Sequence, residues 1–399
     1  MTDRIYYTDA YCRTFEATVA RSLDHGGRPA VTLDRTAFYP ASGGQPFDTG
    51  RLGPADVIET VDADEVVHVL SAPLPVGALV TGEIDWPRRF DHMQQHTGQH
   101  LLSAAFDRLF ENPTVGFHMG AEMSTIDLAR EAAPRDVERA ADLANAVVWE
   151  DRPVAVRLVS QDEAATLPLR KDPARTGPLR LVDIDGFDVC PCGGTHVART
   201  GAVGVVAVVA GERQRGGTRL TFVCGGRALG ALRIYRDAVA GSVRTLSVLP
   251  AELPAAVERV QAEAKDLQKR IRALETRLAV YDGARLLEAA AEIGGVRVVV
   301  ESVPDADAGD LKALALGAVA AGRAAVALLS SAMPVSIVVA RSDGVALDAQ
   351  ALLRQLLDRF GGRGGGKPDL AQGGGLTAPA SDIVAAARNL VSVALQTGR

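Results

Sequence analysis

One feature constrains this chain more than any other: the residues of a candidate metal site are divided between two distant stretches, HTGQHLL at 96–102 and DVCPCGGTHV at 188–197. In the first, His96 and His100 stand four apart at the head of an apolar run. Residues at i and i+4 share a helical face, so the two imidazoles can aim at one point. In the second, Cys192 and His196 repeat the four-residue spacing around Gly193 and Gly194, which let the chain bend until thiolate and imidazole face the same way. Either pair alone is a weak signal. Together they make a zinc ligand set, and a fold that satisfies it must bring the helix and the turn together. The CxC pair lets either sulfur serve; Cys192 is favoured because it alone shares the CxxxH turn with His196, which leaves Cys190 as a small buried neighbour. Thr97 stands where a zincin protease needs a glutamate after its first histidine, which argues against that class.

The chain has 399 residues, enough for two or three domains. A formal net charge of -6 excludes a uniformly basic protein but not a local phosphate-binding patch. Four cysteines, Cys12, Cys190, Cys192 and Cys224, are too few and too unevenly spaced for a disulfide framework and suit a reducing compartment. The N-terminus lacks an apolar signal core, and GAVGVVAVVAG at 201–211 is too short to span a bilayer as a helix. A cytoplasmic protein without membrane partners is expected.

The expected fold class is α+β in four segments. Residues 1–90 alternate in short runs (ATVARSL, PAVTLD, EVVHVL) that suggest a small twisted antiparallel sheet or barrel. Residues 91–226 read as an α+β core with helices at 91–111 and 134–149. Residues 227–290 read as a helical hairpin or coiled coil. Leu253, Val257, Val260, Ala264, Leu267 and Ile271 step by three and four, and SVLPAELP supplies the bend. This hairpin is either an intramolecular spacer or a homodimer contact. Residues 291–399 alternate strand and helix, as in a compact α/β domain that carries the Gly-rich tract GGRGGGKPDLAQGGG.

HTGQHLL followed by CGGTHV resembles the editing domain of alanyl-tRNA synthetases and the free-standing alanyl-tRNA editing proteins of the AlaX type. FYPASGGQPFDTG at 38–50 and VGFHMGAEMSTIDLA at 115–129 resemble further motifs of that family, and the C-terminal Gly-rich tract resembles the last domain of alanyl-tRNA synthetase. The likeness covers nearly the whole chain. Because the chain begins directly with the sheet carrying the FYP motif, without an aminoacylation domain, the resemblance implies the long form of the editing protein, which does not charge tRNA.

The resemblance further implies Zn2+ on His96, His100, Cys192 and His196, and hydrolysis of tRNA(Ala) mischarged with serine or glycine. A pocket shaped for alanine cannot strongly reject an added hydroxyl or a smaller side chain, so a second site must clear the errors. Thr36, in DRTAFYP, occupies the place that the family associates with serine recognition; its alternative is a strand threonine on a solvated face. Gln99 is expected to orient water or the terminal adenosine, unless it is a helix-surface residue. The backbone N–H groups of Gly43, Gly44 and Gln45 are expected near the ester or ribose, or else form a plain turn. His118 is structural or, as the weaker alternative, a substrate contact. Arg363, Gly364, Gly365, Gly366 and Lys367 are expected in a flexible loop that meets tRNA phosphates. Two rival readings are a non-catalytic tRNA-binding protein with a structural zinc, and a zinc hydrolase of another mischarged tRNA. Whether zinc activates water or only positions the RNA 3' end stays open at this level.

Overall fold

Alternation at the start of the chain closes into a barrel. Strands Thr14–His25, Arg28–Leu33, Val66–Leu70, Ala55–Asp62, Gly50–Leu52 and Leu79–Ile84 follow one another around it in that order. In Leu79–Ile84 every second residue is buried, as a barrel wall with one face inward requires. Phe15, Val19, Leu33, Leu52, Val57 and Leu70 fill the interior. The computed structural model describes residues 2–171, 177–214 and 216–397. They divide into two compact units at Thr245 and Leu246.

In the first unit the barrel leads directly into a 25-residue helix, α1, Trp86–Phe110. It starts five residues before the sequence reading placed it. The Asp85 side chain accepts the Arg88 N–H as an N-cap and Pro87 sits in the first turn, a start signal that lies upstream of the apolar stripe. From Gln95 to Phe106 every residue is buried, so α1 is the spine of the core rather than a surface helix. Leu101, Leu102 and Phe106 pack with Ile126, Leu220 and Phe222. The last three belong to a four-stranded sheet in the order Val206–Gln214, Gly217–Cys224, Ser124–Leu128, Thr114–Met119. A second helix, α2, Pro134–Trp149, adds Ala140, Ala144 and Val147 to this core. A separate three-stranded sheet, Val154–Val159, Leu179–Ile184 and Asp188–Pro191, carries the cysteine-rich segment.

Barrel and spine are joined by an ion pair without solvent exposure. The Arg89 and Asp48 side chains are each 0% exposed. The Arg89 guanidinium donates to both Asp48 carboxylate oxygens and to the carbonyls of Ala10 and Ala37, while Asp48 also accepts the Tyr39 N–H at 2.6 Å. With each guanidinium nitrogen directed at an acceptor, the charges are tolerated in a dry interior.

The second unit contains a long helix, Leu253–Glu288, whose seam residues Val257, Val260, Leu267 and Ile271 are exposed. It crosses the Ala308–Ala321 helix where Gly283 and Gly317 meet: a Cβ on either would lie within 2.6 Å of the other helix's backbone. A six-stranded mixed sheet follows, in the order Ala291–Ile293, Val296–Val303, Ala324–Ser330, Val335–Arg341, Leu370–Leu376, Arg363–Gly366. The Gly-rich tract is therefore not the flexible loop expected. Arg363, Gly364, Gly365 and Gly366 form an edge strand paired with Leu370–Leu376, and Lys367 closes the turn by donating its N–H to Leu370 O. The reason is steric, because a Cβ on Gly364 or Gly366 would strike the partner strand at 2.5 or 2.3 Å. All five residues are exposed. Among the described residues, no helix is long and apolar enough to cross a membrane.

Replacing Arg89 by Met should lower the stability of the first unit by about 3–5 kcal/mol, because Asp48 would be left charged, buried and unpaired. Both tryptophans, Trp86 and Trp149, lie in that unit, so urea unfolding followed by their fluorescence reads the change. An unaltered midpoint would show that the pair does not hold barrel to helix.

Candidate metal centre

α1 and the turn after Asp188–Pro191 meet as the spacing requires. One ligand atom from each of His96, His100, Cys192 and His196 lies within 4.8 Å of the others. Cys192 Sγ is 3.4 Å from His96 Nε2 and 3.3 Å from His196 Nε2. Tetrahedral bonds of ~2.3 Å to sulfur and ~2.0 Å to nitrogen put such donors roughly 3.5 Å apart, so the cluster is close to the size that zinc needs. Two glycines make the approach possible. A Cβ on Gly194 would lie 2.1 Å from His96 Cε1, and one on Gly98 would lie 2.2 Å from Cys224 Sγ.

Each imidazole is held through its other nitrogen. His96 Nδ1 donates to Gln45 Oε1 at 2.8 Å, His100 Nδ1 to Asp188 Oδ2 at 3.0 Å, and His196 Nδ1 to Thr97 Oγ1 at 3.1 Å. The Gln45 amide is oriented by Thr195, whose N–H reaches Oε1 and whose hydroxyl accepts from Nε2. Thr97 Oγ1 also takes the Val197 N–H, and Arg170 binds Asp188 through both carboxylate oxygens. Three acceptors of three chemical types thus leave every Nε2 lone pair facing the centre, the tautomer a metal requires. Arg180 fixes the turn by donating to Cys192 O at 2.6 Å.

Charge follows the same plan. Burial works against the thiolate of Cys192, but the imidazoles of His96, His196 and His100 that surround it outweigh that cost and hold the thiol well below its ordinary value. Burial drives His196 down to about 3, so it is neutral. Burial also opposes ionised Asp188, yet its bonds from His100 and Arg170 prevail and bring it to about 2. Burial opposes protonation of His100, but its bonds to Asp188 and Cys192 outweigh it and raise that imidazole above its ordinary value. A thiolate at Cys192, a neutral His196 and a carboxylate brace are states that suit a cation. Cys190, by contrast, is pushed up to about 11 by burial. It borders the cluster without belonging to it.

A cavity of about 320 Å³ opens on the donors, lined by Gly43, Gln99, Thr114 and Phe117 along with His96, His100 and Cys192. Gly43 and Gly44 occupy the corner of a tight turn with φ of 57° and 85°, closed by Ser42 and Gln45, which explains why both are glycine. Gly44 leans on the strand Thr114–Met119, where Met119 N–H donates to its carbonyl. The structure places Gln45 differently from the sequence reading. Its amide N–H is used within the turn and its side chain, buried, orients His96. Thr36 lies in the barrel interior, 0% exposed, bonded to His68 and accepting the Phe38 N–H, and does not line the cavity. His118 is exposed on its strand. Asp188, Arg170 and Thr195 are functional residues that spacing alone does not single out. A carboxylate beside the CxC pair was the available signal for the first.

The segment that carries the turn matches a domain model of tRNA synthetases. The model described as "Threonyl and Alanyl tRNA synthetase second additional domain" matches residues 179–220, the stretch that holds Asp188, Cys192 and His196, and the DHHA1 domain model matches 295–393. The chain is 32% identical over 388 residues to the alanyl-tRNA editing protein AlaX-L of Pyrococcus horikoshii, covering 94% of each, and it belongs to that family. It is 36% identical to the alanine–tRNA ligase of Natronomonas pharaonis and 35% to that of Halorubrum lacusprofundi, spanning 42% and 43% of those longer proteins. The C-Ala domain from Aquifex aeolicus alanyl-tRNA synthetase is similar to 27% of the chain at 24% identity, with a TM-score of 0.24.

Loading the protein with Co2+ should give a thiolate charge-transfer absorption at one equivalent of metal. It should vanish in Cys192→Ala and persist in Cys190→Ala; the reverse would reassign the sulfur. Asp188→Asn should weaken metal binding by about 10–100-fold.

Proposed function

We propose that the protein is a zinc-dependent hydrolase that deacylates tRNA(Ala) mischarged with serine or glycine. The observation that carries this reading is that three of the four donors, His96, His100 and Cys192, line a cavity large enough for an aminoacyl ester. A purely structural centre gains nothing from such an opening. The relative matched over 94% of its length is by name an alanyl-tRNA editing protein.

Zinc, when bound, supplies a Lewis acid that polarises the ester and makes water more acidic. The chain does the rest. Asp188, Gln45 and Thr97 keep the three imidazoles in the ligating tautomer. The N–H of Gly43 meets no acceptor among the described residues and, having no side chain in the way, can donate to oxygen of the ester or the terminal ribose. Arg170, beside the opening, stays committed to Asp188. We assign tRNA contact to the exposed edge strand with Arg363 and Lys367, whose charges suit phosphate, and a homodimer contact to the exposed seam of Leu253–Glu288. The four segments 1–90, 91–226, 227–290 and 291–399 are then barrel, editing core, helical arm and tRNA-binding domain of a cytoplasmic protein.

Incubation with Ser-tRNA(Ala) should release serine. Removing the metal with a chelator, or replacing His100 by Ala, should abolish release, and Zn2+ should restore it only to the unmutated protein. Retained tRNA binding without any hydrolysis would favour a structural zinc, and hydrolysis by metal-free protein would refute the role of the ion.

A further inference from the structure

The cavity beside the donors holds a polar group that neither ligates nor orients a ligand. Gln99 lies on α1 between His96 and His100, is 7% exposed, and borders the cavity. Its Nε2 donates to Ser103 Oγ at 2.8 Å, one turn further along α1, and the Thr114 hydroxyl donates to the same oxygen at 2.7 Å. Ser103 is 0% exposed. The amide is thereby fixed at one end, and Oε1 at the other end accepts no hydrogen bond among the described residues while the side chain borders the cavity. An acceptor held still, open to a cavity and left without a partner favours a ligand that brings a donor.

Of the other residues around the cavity, Gly43, Gly116 and Phe117 present no side-chain donor, the Arg170 guanidinium is bound to Asp188, and Lys171, exposed, makes no hydrogen bond to Gln99. Thr36 is already satisfied inside the barrel, between the Phe38 N–H and His68. We infer that Gln99 Oε1, braced by Ser103 and Thr114, accepts the hydroxyl of a seryl group whose ester carbonyl lies at the metal centre, and so makes serine the preferred aminoacyl group. This rests on the deacylase reading above. In a serine ester the hydroxyl oxygen is separated from the carbonyl carbon by only two carbons, and Gln99 is one helical step from His100, so one bound group can reach both. Glycine and alanine esters have no hydroxyl to offer, and each would leave the Gln99 acceptor to water.

The test compares kcat/KM for Ser-tRNA(Ala) and Gly-tRNA(Ala) in the full-length zinc-loaded protein and in Gln99→Leu, Gln99→Glu and Ser103→Ala, with zinc content measured for each. Gln99→Leu should lower the serine value about tenfold more than the glycine value, the worth of one hydrogen bond in a partly hydrated site. Gln99→Glu should keep the serine preference, since a carboxylate still accepts and the Ser103 hydroxyl can turn to donate to it. Ser103→Ala should shift the ratio in the same direction as Gln99→Leu but by less, and decides the matter should Gln99→Leu fail to fold. Equal losses on both substrates would overturn the assignment while leaving the deacylase intact. An unmutated protein that hydrolyses neither ester would overturn the deacylase reading and this inference with it.

Discussion

Three hydrogen bonds on the far side of three imidazoles, from His96 to Gln45, His100 to Asp188 and His196 to Thr97, determine what the centre of this protein can do. A histidine ring left free would rotate and exchange its proton between nitrogens. Held at Nδ1, each ring presents an Nε2 lone pair at a fixed point. The acceptors come from different places. Gln45 stands on a turn among the barrel strands, Asp188 on the three-stranded sheet, and Thr97 on α1 itself. The site therefore exists only when barrel, sheet and helix are assembled, and the fold serves largely to bring the acceptors to the rings.

The buried Arg89–Asp48 pair follows from that demand. Gln45 reaches His96 only if the 37–48 segment lies against α1 in one register, and Arg89 ties Ala37, Asp48 and Ala10 to the helix below the donors. A hydrophobic contact would tolerate sliding by a fraction of a residue, whereas a guanidinium with four directed partners does not. The same precision appears in the glycines. Gly194 admits the His96 ring and Gly98 admits Cys224, so neither site has space for a methyl group.

Much of this was legible in the sequence, for identifiable reasons. The i, i+4 histidines and the CxxxH turn could be read because metal geometry restricts spacing, and the barrel strands because burial of one face imposes a period of two. The bounds of α2 were readable from Pro134 and an apolar stripe. What escaped depended on contacts across the fold. α1 is buried all round only from Gln95 to Phe106, and its earlier turns, part-exposed and rich in charge, are marked by Asp85 and Pro87 rather than by an apolar stripe. Gln45 resembled a turn residue near substrate, yet its side chain turned out to face His96, 51 positions away. Glycines at 364–366 suggested flexibility, but they reflect a close approach between two strands. Local pattern reports periodicity and spacing; it does not report which distant group will stand opposite a given side chain.

The central claim is that one cation is shared by a single sulfur and the imidazoles of two separate segments. X-ray absorption at the zinc edge of the metal-loaded protein tests it most directly. The account predicts one sulfur at ~2.3 Å with nitrogen donors at ~2.0–2.1 Å and outer-shell scattering from imidazole rings. Two sulfurs, from Cys190 joining Cys192, or a shell of oxygen alone, would contradict it.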